Sequence, residues 1–125
     1  MILGMGIDLV DLKRIKQWTT EPYVSRVLSE SEKIIYQQIN DEKTKLAYIG
    51  GRFAAKEAIF KAISKGEGTT NYKDFSILND ENGKPYVISN HFPTNQAVHI
   101  TITHTEDYAI AYCVIEKRES HSTEQ

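Results

Sequence analysis

The chain has 125 residues, of which 40% are hydrophobic and 26% are charged, and its formal net charge at pH 7 is −2. These values are typical of a single globular domain, and they argue against a dedicated nucleic-acid-binding protein, which usually carries a strongly basic surface. The single cysteine excludes an internal disulfide, and the lack of a signal-peptide pattern or of an apolar run of roughly 20 residues predicts a cytoplasmic protein without a membrane segment.

The first half of the sequence predicts one strand followed by helices, one of them long. The elements are a strand at 2–10, a helix at 12–18 that Asp11 caps, a break at 19–22, a helix from Ser29 or Ser31 to about 39, and a helix from about 42 to 65 that ends at Gly66.

The second half predicts a glycine-rich loop and short strands. They are a loop at 66–74, strands at 75–78 and 85–89 joined by a turn at Asn82-Gly83, and a hairpin of strands at 97–104 and 108–116. Residues 1–117 are therefore expected to form one α+β domain, in which a strand and a helical half precede an antiparallel meander. The small antiparallel sheet would pack against one long and several short helices. The tail at 118–125 has no apolar residue and is expected to be disordered.

The long helix contains an acidic residue in an unusual position. At about 100° per residue, a helical projection forms an apolar stripe from Leu46, Ile49, Phe53 and Phe60, and Glu57 falls within it. Lys61 follows one turn later at the edge of the stripe, whereas Arg52 and Lys56 project toward the opposite margin. In one interpretation, Glu57 and Lys61 form an ordinary ion pair on a solvated helix. In the other, Glu57 is desolvated and needs a cation, such as a metal ion, as its partner.

A second unusual carboxylate, Asp8, lies in the middle of the first predicted strand. It shares one face of that strand with Gly4 and Gly6, which would let another group approach the backbone closely. Asp8 could simply cap the following helix. Alternatively, folding could bring Asp8 and Glu57 together, and such oxygen ligands suit Mg²⁺ in contact with phosphate groups.

The remaining candidate residues carry weaker signals. His99 and His104 lie five positions apart on one strand and face opposite sides, so they cannot bind one metal there together. His104, at a strand end, is the better candidate for a ligand contact. Cys113 lies within an apolar strand and is expected in the core.

Four segments resemble the holo-acyl-carrier-protein synthases, a family of small bacterial phosphopantetheinyl transferases. They are "GMGIDLVDLKRI" at 4–15, "GRFAAKEAIFKAI" at 51–63, "NGKPYV" at 82–87 and "VHITITHTEDYAIA" at 98–111. The segments occur in the order and at the spacing of the family, and together they cover almost the whole chain except the tail.

The resemblance implies transfer of 4′-phosphopantetheine from coenzyme A to a serine of apo acyl carrier protein, in fatty acid biosynthesis. Adenosine 3′,5′-bisphosphate would be the second product. Asp8 and Glu57 match the family's metal-binding residues for Mg²⁺, with Mn²⁺ as an alternative, and Lys61 matches its phosphate-facing lysine. The predicted coenzyme A contacts are Arg52, Lys61, Gly83, Lys84, Pro85, Thr103, His104 and Thr105. Thr101 stands where the family has serine, which keeps a hydroxyl group.

The resemblance also implies partners. Such proteins are homotrimers with active sites between neighbouring subunits, and their carrier proteins are strongly acidic. A basic docking surface is therefore expected, and its candidates are Lys13, Arg14, Trp18 and Arg26. Neither a nucleic acid nor a membrane is an expected partner.

Two other functions remain as alternatives from the residues alone. A Mg²⁺-dependent nuclease could use aspartate, glutamate and lysine, but its pattern places glutamate and lysine two apart on a strand, whereas Lys61 follows Glu57 by four on a helix. A non-catalytic binding module would leave Glu57 as a surface ion partner.

Overall fold

The computed structural model describes residues 1–63 and 71–119. The elements in chain order are β1 (Ile2–Asp11), α1 (Leu12–Trp18), α2 (Glu21–Val27), α3 (Glu30–Gln38), α4 (Glu42–Ile63), a short 3₁₀ turn (Tyr72–Asp74), β2 (Ser76–Asn79), β3 (Pro85–Ile88), β4 (Gln96–His104) and β5 (Tyr108–Lys117). The predicted α+β class, the long helix and the order of the strands are confirmed. The predicted end of the long helix near Gly66 lies outside the described residues, as does the tail from residue 120.

The strands form two antiparallel sheets rather than one continuous meander. The larger sheet has the order β1-β5-β4, so the first strand of the chain pairs with the last, and Asp8 lies opposite Ala111. β2 and β3 form a separate hairpin that contacts β4. The hairpin turn contains Gly83 at φ 83°, a left-handed conformation that glycine adopts without steric cost.

α4 packs across β1 and β5, and its contact with β1 is very close. A Cβ atom placed on Gly4 would lie 2.0 Å from the backbone oxygen of Ala62, and one on Gly6 would lie 2.0 Å from that of Ala58. The space that these glycines leave is therefore filled by α4, which makes the close approach to the strand backbone that the glycines predict.

The buried side of α4 differs from the predicted stripe. Small residues face the sheet and are buried, including Ala54, Ala58 and Ala62, whereas Phe53 and Phe60 are only partly buried. Alanine is weakly hydrophobic, so a projection weighted toward large side chains misplaced the centre of the core. Glu57 lies with Phe53 and Phe60 on the partly buried side, not within the core.

The shorter helices begin with the expected capping interactions, apart from α2, which the sequence did not predict. The Asp11 side chain accepts a hydrogen bond from the Lys13 backbone N–H at 3.0 Å, and Ser29 forms a capping box with Glu32 at the start of α3. α2 begins at Glu21 with Pro22 in its first turn, where proline lacks only a hydrogen bond that is unsatisfied there in any helix. The proline was interpreted as a break, although it starts a helix.

Lys56 and Glu32 form an ion pair in the centre of the domain, and both side chains are fully buried. The Lys56 ammonium also donates to the backbone oxygen of Val27 at 2.7 Å, and Glu32 accepts from the backbone N–H groups of Ile77 at 2.7 Å and Ser29 at 2.9 Å. This network joins α2, α3, α4 and β2. The position predicted for Lys56, at a margin away from the apolar stripe, gave no indication of this burial.

The predictions for Cys113 and for the two histidines of β4 are confirmed. Cys113 is buried in β5, and burial raises the pKa of its thiol to about 12. His99 and His104 lie at alternate registers of β4, so they face opposite sides of the sheet.

Across the described ranges, none of the helices combines the length and the apolar character that a bilayer crossing requires.

Candidate active site

Asp8 follows Gly4 and Gly6 on the same face of β1, just beyond the part of the strand that contacts α4 closely. Its carboxylate accepts a hydrogen bond from the Lys61 ammonium at 3.1 Å, and the side chains of Asp8 and Lys61 are 17% and 54% exposed. Lys61 also donates to the backbone oxygen of Ile7 at 2.9 Å. A glycine at position 6 brings the strand and helix close enough for these contacts. Folding therefore brings Asp8 of β1 into contact with Lys61 of the long helix.

Glu57, the second carboxylate of the candidate site, is held by a hydrogen bond from Tyr72. The Tyr72 hydroxyl donates to Oε2 of Glu57 at 2.6 Å. Burial, followed by this bond and the negative charge of Glu57, raises the pKa of Tyr72 well above its usual value, so the phenol is a neutral donor. Lys61 pairs with Asp8, and no Glu57–Lys61 ion pair occurs among the described contacts. The interpretation of Glu57 and Lys61 as an ordinary helical ion pair is therefore wrong.

Asp8 and Glu57 line the same open pocket, whose volume is about 370 Å³. Phe53, Arg14 and Trp18 lie along its wall, and the Arg14 guanidinium lies over the Trp18 ring at 5.5 Å. That distance allows a cation–π interaction. The two carboxylates and two of the predicted docking residues thus border one cavity, although β1, α1 and α4 supply them separately.

The other predicted docking residues lie at two further places. Lys13 is exposed on α1. Arg26, on α2, lines a second pocket of about 350 Å³ together with Asn71, Tyr72 and Lys73. The hydrogen bond between Tyr72 and Glu57 lies between the two pockets.

Arg52 is already bound within the protein. It is buried, and its guanidinium donates to the backbone oxygen of Ile77 at 3.1 Å and to the side chain of Asn79 at 3.2 Å. It also lies over the Tyr48 ring at 4.4 Å. These contacts make Arg52 an anchor for the hairpin, and its predicted contact with coenzyme A would require some of them to yield.

The other predicted coenzyme A residues form a separate group near the hairpin and the end of β4. In the hairpin turn, the Asp80 carboxylate accepts from the Lys84 backbone N–H at 2.9 Å, and the Lys84 side chain is exposed. After β4, the Thr105 hydroxyl accepts from the Tyr108 backbone N–H at 3.1 Å. The group comprises Gly83, Lys84, Pro85, Thr103, His104 and Thr105, none of which lines the pocket of Asp8 and Glu57 in the described part of the chain.

In the larger sheet, the strands that carry Asp8 and His104 are not neighbours. β5 lies between β1, which carries Asp8, and β4, which ends at His104. Because adjacent strands lie about 4.8 Å apart, β1 and β4 are separated by about twice that distance. In a single chain, Tyr108 connects the end of β4 to the pocket: it lines the pocket of Asp8 and Glu57, and its backbone N–H donates to the Thr105 hydroxyl.

Sequence reasoning missed Tyr72, although it is the residue that directly holds Glu57. It falls in "GEGTTNYKD", which was predicted as a loop without a site residue. Spacing carries no signal for a contact between a loop and a helix, so only the folded chain reveals it.

A comparison with models of protein families matches residues 4–113 to the 4′-phosphopantetheinyl transferase superfamily. The chain belongs to this superfamily. The resemblance of its four segments to that group of transferases is therefore confirmed. Relatives and solved structures within the superfamily add detail.

Two curated relatives match over nearly their whole length. The holo-[acyl-carrier-protein] synthase of Acholeplasma laidlawii is 50% identical over 118 residues, which cover 94% of this chain and 99% of the relative. The holo-[acyl-carrier-protein] synthase of a Geobacillus strain is 46% identical over 120 residues, covering 94% and 98%. Among solved structures, the holo-(acyl-carrier-protein) synthase of Bacillus anthracis in complex with CoA (3′,5′-ADP) is similar with a TM-score of 0.84. It is 34% identical, and the match covers 94% of this chain and 98% of that one.

Proposed function

We propose that the protein is a holo-acyl-carrier-protein synthase, which transfers 4′-phosphopantetheine from coenzyme A to a serine of apo acyl carrier protein. The observation that carries this function is the shared pocket of Asp8 and Glu57, with Lys61 at the first carboxylate. The full-length relatives of that activity support the same choice.

Asp8 and Glu57 are fitting ligands for Mg²⁺. Each is an oxygen ligand that faces one open pocket, and two protein carboxylates with phosphate oxygens and water are a usual coordination set for this ion. Two hydrogen bonds, from Lys61 and from Tyr72, fix the carboxylates from outside the pocket. Mn²⁺ would be held by the same residues. When bound, the ion neutralises negative charge on the pyrophosphate of coenzyme A.

The chain's own groups have defined roles in the transfer. The serine oxygen of the carrier forms a bond to the β-phosphorus of coenzyme A, while the bond from that phosphorus to the bridging oxygen breaks. Adenosine 3′,5′-bisphosphate leaves with the electron pair, and the serine proton passes to a carboxylate oxygen of the pocket, directly or through a water. Lys61, more than half exposed at Asp8, can turn its ammonium toward the phosphates, where developing charge is stabilised.

We further propose that three copies assemble and that the two groups of predicted residues meet across their interfaces. The face of the larger sheet opposite α4 exposes contiguous apolar side chains, including Met5, Ile7 and Leu9 on β1 and Tyr112 on β5. Exposed apolar patches of this kind are typical of protein interfaces. A neighbouring subunit would then bring its hairpin turn and the end of its β4 to the pocket of Asp8.

The assembly can be tested by light scattering coupled to size exclusion. We expect a mass three times that of the 14.3 kDa chain. Met5→Asp should reduce this mass and weaken coenzyme A binding, because it places a charge on the apolar sheet face. The control Ile34→Asp alters an equally exposed apolar residue on α3 and should leave the mass unchanged. A monomeric wild-type protein that transfers at full rate would refute the shared site.

The transfer itself is tested by mass spectrometry of the carrier. The protein, Mg²⁺, coenzyme A and apo acyl carrier protein are mixed, and the carrier should gain the mass of phosphopantetheine. Asp8→Asn and Glu57→Gln should lower kcat/KM by about 100-fold or more, the cost typical of removing one charge-stabilising group. The control Glu30→Gln alters an exposed carboxylate on α3, outside the pocket, and should transfer normally. No mass gain with any divalent metal would refute the function and favour a binding module, and an unaffected Glu57→Gln would refute the role of Glu57.

A further inference from the structure

Three aromatic rings cluster on the side of α4 that carries Glu57. Phe53 and Phe60 lie four residues before it and three residues after it, so all three side chains share one side of α4. The Tyr72 ring packs against both phenylalanines, with centroid distances of 5.6 and 5.2 Å. This packing fixes the position of the Tyr72 ring relative to the helix.

The hydroxyl of that ring bonds one oxygen of Glu57. It donates to Oε2 at 2.6 Å, and Tyr72 lines the second pocket while Glu57 lines the first. The hydrogen bond therefore reaches Glu57 from a residue of the second pocket, and Oε1 accepts no hydrogen bond among the described contacts, which leaves it for a ligand in the first pocket. A phenol donor is itself neutral. It therefore does not offset the negative charge of the carboxylate, as a lysine ammonium would.

A second tyrosine in the same cluster provides a contrast. The Tyr23 ring lies 6.1 Å from that of Phe53, but its buried hydroxyl has no hydrogen-bond partner among the described residues. The two hydroxyls thus share an aromatic environment, and only that of Tyr72 contacts Glu57.

We propose that Tyr72 is a positioning residue that holds Glu57 in the orientation needed to bind the divalent cation. The inference rests on the proposed function, because that function makes Glu57 a metal ligand. Tyr72 touches neither the substrate nor the cation in this arrangement. Its effect on the reaction passes entirely through the orientation of Glu57.

The test measures Mn²⁺ binding by electron paramagnetic resonance, with Mn²⁺ alone and with Mn²⁺ and coenzyme A. Tyr72→Phe keeps the packed ring and removes the hydroxyl, and it should raise the Kd for Mn²⁺ by about 10-fold, the loss typical of partners that orient metal ligands. The matched control Tyr23→Phe removes the unpartnered hydroxyl and should leave the Kd unchanged. In the transfer assay, saturating Mg²⁺ should restore kcat of Tyr72→Phe to within about twofold of wild type, because the lost interaction affects metal binding.

A change of less than about threefold in the Kd of Tyr72→Phe would overturn the inference, as would an equal change in Tyr23→Phe. Glu57→Gln separates this inference from the proposed function. If that variant binds Mn²⁺ as tightly as wild type, Glu57 is not a ligand and the role of Tyr72 is refuted. If Mn²⁺ binding depends on both Glu57 and Tyr72 but no carrier is modified, the transferase proposal fails and the positioning role stands.

Discussion

Replacing Lys56 with methionine tests how much the buried ion pair contributes to stability. Methionine keeps the unbranched shape and the helix preference of lysine but removes the ammonium that contacts Glu32 and the Val27 carbonyl. The Glu32 carboxylate would then be fully buried without a counter-charge, although two backbone N–H groups still bond it. Breaking a buried pair from one side costs about 3–5 kcal/mol. A domain has a total stability of about 5–15 kcal/mol, so the loss would be a large part of it.

The free energy of unfolding is obtained from urea titrations at one fixed protein concentration, because assembly would make stability depend on concentration. Far-ultraviolet circular dichroism and the fluorescence of Trp18, the single tryptophan, provide two probes of unfolding. The matched control is Lys43→Met on the same helix. Lys43 forms an ion pair with Glu106 at 3.2 Å, but the two side chains are 82% and 76% exposed. Such a surface pair contributes about 0–1 kcal/mol.

A loss for Lys56→Met below about 1 kcal/mol, equal to that of the control, would refute the reasoning, because it would mean that water reaches the pair. The double variant Lys56→Met with Glu32→Gln adds an internal check. It removes both charges, so its loss should be smaller than the sum of the two single losses by about 0.5–3 kcal/mol. Strict additivity would show that the two side chains do not interact.

Three further predictions follow from single contacts. Gly6→Ala places a Cβ atom 2.0 Å from the Ala58 backbone oxygen and should lower the free energy of unfolding by about 1–3 kcal/mol. An unchanged urea midpoint would contradict the close packing of β1 on α4. Hydrogen bonds from the Thr44 hydroxyl and backbone N–H lower the pKa of Asp41 below 3.8, so its stabilising effect is present above that pH and is lost as pH falls through the folded-state pKa. Asp41→Asn should therefore lose less stability than wild type in acid titrations of the unfolding free energy, whereas parallel curves would contradict the shift. Arg14→Glu should raise KM for the acidic carrier far more than KM for coenzyme A, and equal increases would exclude a docking role.

Much of the site could be predicted from the sequence because its residues break local rules. Aspartate within an apolar strand opposes the usual preference of its position, whereas Glu57 stood out only against a helical stripe that the fold leaves partly buried. The strand–helix contact that unites Asp8 with Lys61 also depends on Gly6, whose missing side chain is visible in the sequence. Local anomalies of this kind are typical of functional sites.

The environment of the long helix could not be predicted in the same way. A helical projection treats the stripe of large apolar residues as the buried side, but β1 approaches so closely that alanines form the contact. Lys56 is buried because α3 and β2 cover the side of α4 opposite the larger sheet. These elements are distant from Lys56 in sequence, so local patterns do not predict that they pack there. The separate β2–β3 hairpin was likewise hidden, since alternation indicates strands but not the sheet to which each belongs.

Adjacent positions on α4 connect the core to the site. Consecutive helical residues point about 100° apart, so the rotation that buries Lys56 against Glu32 also directs Glu57 toward Tyr72 and the pocket. The ion pair is directional, because Glu32 is itself held by the backbone N–H groups of Ser29, at the cap of its own helix, and of Ile77 in β2. A purely apolar residue at position 56 would allow small rotations of the helix at little cost, whereas the charged pair opposes them. We therefore expect the buried pair to fix the orientation of the helix that presents Glu57, so Lys56→Met should raise the Kd for Mn²⁺ even where the variant remains folded.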